Sequence, residues 1–550
     1  MSGHPIYTDE PQVPGRRAFL KRLTAFAAIP FVAAYVQSCA NESHKEQIGG
    51  SMIASGSATG HMVRKEGAIP APSSFITTDI LIAGGGIAGL SAARWLQANG
   101  AQNVLLLEMG NEAGGNSVYG KNKVSAYPWA AHYLPIPNNT NKELTDFLQA
   151  AGVITGFENG APVYNEYHLC HDPEERLYID GYWQEGLIPR FGISKEDERQ
   201  TGTFMKMVEK LRSEKGNDGK YAFAIPVDES SADENYRGLD SISFEQYLTD
   251  NGYSSKPLKW YLEYCCKDDY GSALKDTSAW AGLHYFAARR GVAANAPSSA
   301  VLTWPEGNGY LMDALKRQVQ VPVQTGMLVH RVHEGDGFVE VDCYNVKEKK
   351  TVRIKAGKLL LCTPQHVNKH ILGPGSDRAA IYDKVNYAPW VVANVTYSGA
   401  LQGKGTSLCW DNVIYGRESV GYVYANHQDL VRGIDGVLTW YMPLTGKSPA
   451  ALRKSIYNNT WQDWKQLVLE DLSYAHQGIA AQITNIDVRV WGHGMIQPTV
   501  GYIWGAERRK AMEPVNGRIF FAHSDLSGIS IFEEAFSQGI RAAKQILATT

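Results

Sequence analysis

The run Thr78-Asp79-Ile80-Leu81-Ile82-Ala83-Gly84-Gly85-Gly86-Ile87-Ala88-Gly89 leads an apolar strand into a helix through a G-x-G-x-x-G turn, and it constrains the chain more than any other segment. Gly84 permits the tight turn, Gly86 lets a pyrophosphate approach the backbone, and Gly89 lets helix and strand pack closely, with Ala88 inside the same turn. The first N–H groups of the helix and its dipole then favour the phosphates. Val104-Leu105-Leu106-Leu107 reads as a second apolar strand. It ends in Glu108, about 20 residues past the glycines, where a carboxylate accepts hydrogen bonds from ribose hydroxyls. An ordinary glycine-rich turn lacks this order of strand, turn, helix, strand and acid. The expectation is a Rossmann-type α/β domain that holds a dinucleotide.

Two further segments bear on which dinucleotide. Gly114-Gly115-Asn116-Ser117 follows Glu108, and Gly517-Arg518-Ile519-Phe520-Phe521-Ala522-His523-Ser524-Asp525 precedes a helix predicted from about Ile531 to Leu547. This pairing resembles the flavin amine oxidase and phytoene desaturase superfamily, whose members carry an E-x5-G-G-[RN]-x motif and close on an apolar strand, a small residue and an acid. The resemblance implies FAD, held at Gly84, Gly86, Ala88, Gly89, Glu108, Gly114, Gly115 and Asn116. It implies that Asp525 binds the ribityl and phosphate region, and that the helix starting at Ile531 aims its N-terminus at the isoalloxazine. A positive helix end there stabilises the charge gained at N1 and C2=O on reduction.

Leu302–Tyr310 looks like the family's turn before a helix, and strands around Met327–Val332 and Leu359–Cys362 fit the pair that returns to the flavin domain. By family position Val329 meets the adenine through its backbone. The fold class expected is α/β, with a glutathione reductase-like FAD-binding domain assembled from residues 74–135, 300–375 and 510–550. Residues 136–299 and 376–509 would form a discontinuous α+β substrate domain, helix-rich in its first part and strand-rich in its second. Substrate would enter between the domains.

Gly15-Arg16-Arg17-Ala18-Phe19-Leu20-Lys21 and the apolar run from Leu23 to Val36 look like a twin-arginine export signal over residues 1–39. The apolar run is too short to span a membrane comfortably. Val36-Gln37-Ser38-Cys39 roughly fits a lipobox, so both a lipid anchor at Cys39 and simple cleavage nearby stand as readings. The reading is a periplasmic or otherwise exported protein, folded around its flavin before it meets the export machinery, with residues 40–73 as a flexible linker. Spermidine dehydrogenase-like proteins exported this way share the Ser524-Asp525 pair and the short connection to the last helix, and are the nearest resemblance.

A chain of 550 residues, 44% hydrophobic and 20% charged, suits two intertwined domains. A net charge of −3 gives no reason to expect nucleic acid. Beyond Cys39, the six cysteines at 170, 265, 266, 343, 362 and 409 show no C-x-x-C spacing, so no metal site is expected and they read as core residues.

Candidate catalytic residues depart from the family pattern. Many amine oxidases carry a lysine that holds a water against flavin N5. In this chain the match falls on Ala393 or Asn394, and Asn394 is the candidate. Monoamine oxidases place a tyrosine before the glutamate of the last helix, whereas Ile531 and Phe532 precede Glu533. A two-tyrosine cage is therefore not expected. An imidazole near its ordinary pKa of about 6.5 can take the proton of an ammonium, which must leave before hydride does. His132, within Tyr127–Tyr133, and His493, within Trp491–Met495, are the candidates, whereas His284 reads as packed core. Glu533 and Glu534 lie on the flavin-facing helix. The charged runs Asp228–Glu234 and Ser194–Arg199 read as a solvated loop and a surface helix start.

The expected function is hydride transfer from an amine C–H, polyamines included, to noncovalent FAD, giving an imine that hydrolyses. Oxygen or a periplasmic carrier would take the electrons. The alternatives are a desaturase or isomerase of an apolar polyene, and an exported flavoprotein without turnover.

Overall fold

The glycine turn joins elements of a seven-stranded mixed sheet. Pro72–Ala83 is largely exposed along its first half and buried from Ile80 to Ala83, where its residues become wholly apolar. Val104–Glu108 and Lys350–Leu361 flank it in parallel, Val323–Thr325 lies outside the former, and Ile519–Phe521 pairs in parallel with the latter. Val339–Asn345 and Met327–Glu334 extend the sheet as antiparallel strands. Helices Ile87–Ala98 and Phe532–Ala548 pack against each other and share one core with Ile82, Leu106, Leu360 and Phe520. The computed structural model describes residues 47–65, 67–373, 377–430 and 433–549. The twin-arginine segment and Cys39 lie outside the described residues.

A second, eight-stranded sheet runs in the order Met52–Ile53, Ile483–Ile496, Tyr387–Ser398, Asp435–Pro443, Gly421–Tyr424, Asp411–Ile414, Glu175–Ile179 and Tyr182–Glu185. Alternation along Tyr387–Ser398 splits its side chains between two cores. Val391, Ala393 and Val395 pack with Trp464 and Val468 of the Trp461–Ala475 helix, while Trp390 and Val392 pack with Tyr264 and Cys265. The segment 136–299 is therefore not helical alone, since it lends two strands to this sheet. Its helices begin as the sequence implies: Ser194 and Asp197 form a capping box on Lys195–Ser213, and Ser255 caps Lys256–Tyr270. The six described cysteines are all buried.

The reading of residues 40–73 as a flexible linker needs correction from Ile48 onward. Ile48 is buried in the core of the large sheet, and Met52–Ile53 pairs in parallel with Val488 and Arg489. The Ser51 amide donates to Asp487 Oδ1 at 3.1 Å, and Gly60 lies against the Met109 thioether. At the far end, Thr351 Oγ1 donates to the Pro70 carbonyl at 2.6 Å. Small polar residues suggested a tether, but they permit close backbone pairing equally well. Gly50 sits at φ +131, and a Cβ there would stand 1.9 Å from the Ile486 carbonyl oxygen. Gly50→Ala is therefore expected to destabilise the fold by about 1–3 kcal/mol and to open residues 48–65 to limited proteolysis. A thermal unfolding curve and a digest of wild type and variant check both.

Candidate cofactor and substrate site

A cavity of about 480 Å³ is bordered by the glycine turn, by Glu108, by the Trp390, Val392 and Tyr441 face of the large sheet, and by the start of Phe532–Ala548. Its first end has the shape of a dinucleotide cradle. Gly84 sits at φ +111, where a Cβ would stand 2.7 Å from the Cys362 carbonyl oxygen, and a Cβ on Gly89 would stand 1.9 Å from the Gly84 oxygen. Both are thus required by backbone packing. Gly86 differs: it lines the cavity, and a Cβ there would meet nothing nearer than the Gly115 Cα at 3.8 Å. The room it leaves lies beside the first turn of Ile87–Ala98, where unpaired N–H groups suit a phosphate.

Glu108 closes this end. Its Oε2 accepts from the Gly85 amide at 2.8 Å and its Oε1 from the Gly110 amide at 2.6 Å. Burial raises its pKa while these backbone bonds oppose the shift, and each oxygen keeps a lone pair for a ribose hydroxyl. Ala88, Gly115, Asn116, Val329, Asp525 and Ile531 also line the cavity. Gly89 and Gly114 stand behind the wall; a Cβ on Gly114 would press on Val118 at 2.9 Å. Asn116 donates to the Gly494 carbonyl, so its amide ties the motif to the large sheet.

Asp525 is buried, yet it stays ionised. Burial raises its pKa, but His523, the Tyr387 hydroxyl and the Gln365 amide outweigh that and hold it below the usual carboxylate range. Near Tyr387, His493 stacks on His366 with ring centroids 3.9 Å apart. His132 stacks on Tyr441 at 4.7 Å, and its Nδ1 lies 3.2 Å from the Ala130 carbonyl oxygen.

Two sequence-based expectations change here. Asn394 does not line the cavity. It shares the face of Trp390 and Val392 but lies further along the strand, where its amide donates to the Pro128 carbonyl at 3.1 Å and accepts from the Thr439 hydroxyl at 2.7 Å. His132 and His493 do line the cavity, but neither is basic enough for the part assigned to it. Burial pushes His132 down to about 4. Burial, then His366, Arg453 and Arg64, push His493 down to about 2. His284 is core, stacked on Trp280 and 2.8 Å from the Ala224 carbonyl oxygen. Of the acidic loop, Asp228 is not simply solvated, since it pairs with Arg508 at 2.9 Å.

The groups that sequence reasoning missed are Asp268, Asp269, Arg289, Tyr387 and Tyr441, whereas Tyr133 lies in the Tyr127–Tyr133 segment already singled out. Asp269 accepts from Tyr133 at 3.0 Å and from Arg289 at 2.8 Å. Asp268 and Asp269 occupy the last turn of Lys256–Tyr270, beside the negative end of the helix dipole. Two aspartates at such a position are a signal that the sequence does contain, once the helix boundary is known. Burial, then Asp269 and Asp411, raise Asp268 well above the carboxylate range. Burial, opposed by Arg289, pushes Glu533 up to about 7.

The family model described as flavin containing amine oxidoreductase matches residues 87–547, and the chain belongs to that family. No curated protein matches it by sequence. Among solved structures it is similar to putrescine oxidase, at 15% identity and a TM-score of 0.64, over 86% of this chain and 100% of that one. Cyclohexylamine oxidase from Brevibacterium oxydans IH-35A is similar at 15% identity and 0.59, over 86% and 98%. A CLA-producing fatty acid isomerase from P. acnes is similar at 14% and 0.60, over 84% and 97%. The protein is an FAD-dependent oxidoreductase with a Rossmann-type cofactor domain. The cradle, the free space at Gly86 and the Glu108 carboxylate fit that cofactor.

Gly86→Val is expected to fill the phosphate space and give protein with little flavin, read as the ratio of visible to ultraviolet absorbance. Asn394→Ala is expected to leave that ratio unchanged. It should cost about 1–3 kcal/mol in chemical denaturation, because the buried Pro128 carbonyl and Thr439 hydroxyl lose their partner.

Proposed function

We propose that this protein oxidises amines, polyamines included, at a C–H next to nitrogen, with FAD supplying the hydride acceptor when bound. The observation that carries this reading is the charge at one end of the cavity. Asp268, Asp269 and Glu533 line it together with Arg289, the only lysine or arginine among the described lining residues. Arg289 is paired with Asp269, which leaves Asp268 and Glu533 for a cation. Beside an apolar polyene these buried acids would simply stay protonated, whereas an ammonium lowers the cost of ionising them and gives their placement a use. That argument separates amine oxidation from polyene isomerisation, which the fold by itself does not.

The substrate arrives as an ammonium, and its nitrogen lone pair is free only once a proton has left. Glu533 is suited to take that proton, since it lines the cavity and its pKa lies near 7, whereas those of His132 and His493 are pushed down to about 4 and about 2. The C–H pair then leaves as hydride while nitrogen forms C=N, and water converts the iminium to a carbonyl compound and ammonium. Trp390, Val392 and Tyr441 wall the cavity and would orient the substrate's apolar part. Oxygen or a periplasmic electron carrier would reoxidise the cofactor, in keeping with the twin-arginine segment and a lipid anchor or cleavage at Cys39. The flavin is noncovalent in this reading: Cys362, which lines the cavity, lies against the Gly84 turn at the phosphate end.

Anaerobic mixing with spermidine, putrescine, cyclohexylamine and benzylamine is expected to bleach the flavin absorbance with at least one of them. A flavin that dithionite reduces but no amine does would overturn the reading. The bleaching rate should rise with pH through about 7, because Glu533 accepts a proton only when ionised and is protonated below that value. In Glu533→Gln this limb should vanish and the rate fall by about 10²- to 10⁴-fold.

A further inference from the structure

Amine oxidation as read above leaves a proton on the protein at each turnover, and that proton must reach solvent before the next cycle. This inference rests on that reading. Outward from Asp268 at the cavity wall, Tyr264, Asp411 and Glu175 form a line of titratable groups that neither cofactor binding nor substrate binding uses.

Asp268 lines the cavity, and Tyr264 stands one turn earlier on the same helix, at i, i+4, so the two share a face. The Tyr264 hydroxyl donates to Asp411 Oδ2 at 3.1 Å. Asp411 opens the Asp411–Ile414 strand in register with Glu175, which opens the parallel neighbour Glu175–Ile179. In-register residues project from the same face of a sheet. Two residues along these strands, Val413 and Leu177 share one core with Tyr264, so that face is the one against the helix. Glu175 is exposed. Cavity, helix, strand and solvent are thus joined in sequence.

We infer that Asp268, Tyr264, Asp411 and Glu175 form the exit route for the proton released by the amine. No electron moves along it. Glu533 releases the proton it took into the cavity that Asp268 also lines; Tyr264 gives its hydroxyl proton to Asp411 as it takes one from the Asp268 side, and Asp411 passes its proton to Glu175 and so to water. The net change is one proton moved from the cavity to solvent. A buried tyrosine and aspartate that served only as a structural pair would need no exposed carboxylate in register. The electrostatics agree: burial and then Glu175 push Asp411 up to about 7, where it can both gain and lose a proton. Asp268 also faces Asp269 and Arg289, and Glu175 faces Arg190.

The test is anaerobic stopped flow on the holoenzyme in weak buffer with a pH-indicator dye, using the same four amines. In wild type, acidification should accompany flavin bleaching. In Asp411→Asn, first-turnover bleaching should persist while acidification lags at least about tenfold, and Asp411→Glu should restore it. Tyr264→Phe interrupts the same route without changing charge, and supplies the comparison should Asp411→Asn fold poorly. Bleaching with prompt acidification in these variants overturns the exit route alone. A wild-type flavin that no amine bleaches overturns the amine reading and this inference with it.

Discussion

The close crossing of two helices holds the site together. A Cβ on Gly539 would stand 2.2 Å from both the Ala88 carbonyl oxygen and Ser91 Oγ, and Ser91 donates to the Phe536 carbonyl at 3.1 Å. With Gly89 equally tight on Gly84, the last helix, the glycine-turn helix and the strand beneath them form one packed stack. Their relative placement admits little freedom, because well-packed interiors do not deform gradually. Both helices begin at the cavity, so two positive helix ends converge on the space for one cofactor. Glu533, in the first turn of the last helix, takes its position from the same crossing.

Desolvation then divides the cavity electrically. Toward Asp525, burial strips His366 and His493 of their basicity and leaves them as a neutral stacked pair. Toward Arg289, burial acts on carboxylates in the opposite sense and brings Glu533 to the range where it can exchange a proton. One physical effect thus removes the sequence-based choice of base and supplies another. The dipole of the Lys256–Tyr270 helix adds to the cost of ionising Asp268, which a bound cation would offset.

Much of the cofactor end was legible in the chain because its requirements are local. A glycine turn, a carboxylate at a strand end, and an apolar strand followed by a helix each occupy a short segment, and each was found where expected. The substrate end was not legible in the same way. Asp268, Arg289, Tyr441 and Glu533 come from distant segments, and no spacing relates them. Asn394 shows the converse error: its strand was read correctly, but which face and how far along the strand the cavity reaches depend on Pro128 and Thr439 packing over it. The linker erred because glycine and serine, which free a chain in solution, also let it pair closely with a sheet.

What the sequence by itself determined is the cofactor class, the Rossmann-type cradle and the family, since phosphate binding at a helix N-terminus demands particular residues at fixed offsets. What only the tertiary structure decided is which side chains meet at the cavity and how burial shifts them. Their basicity follows from burial and from neighbours far away in sequence. Burial therefore moves His132 and His493 away from neutrality and Glu533 toward it, against what their ordinary pKa values suggest.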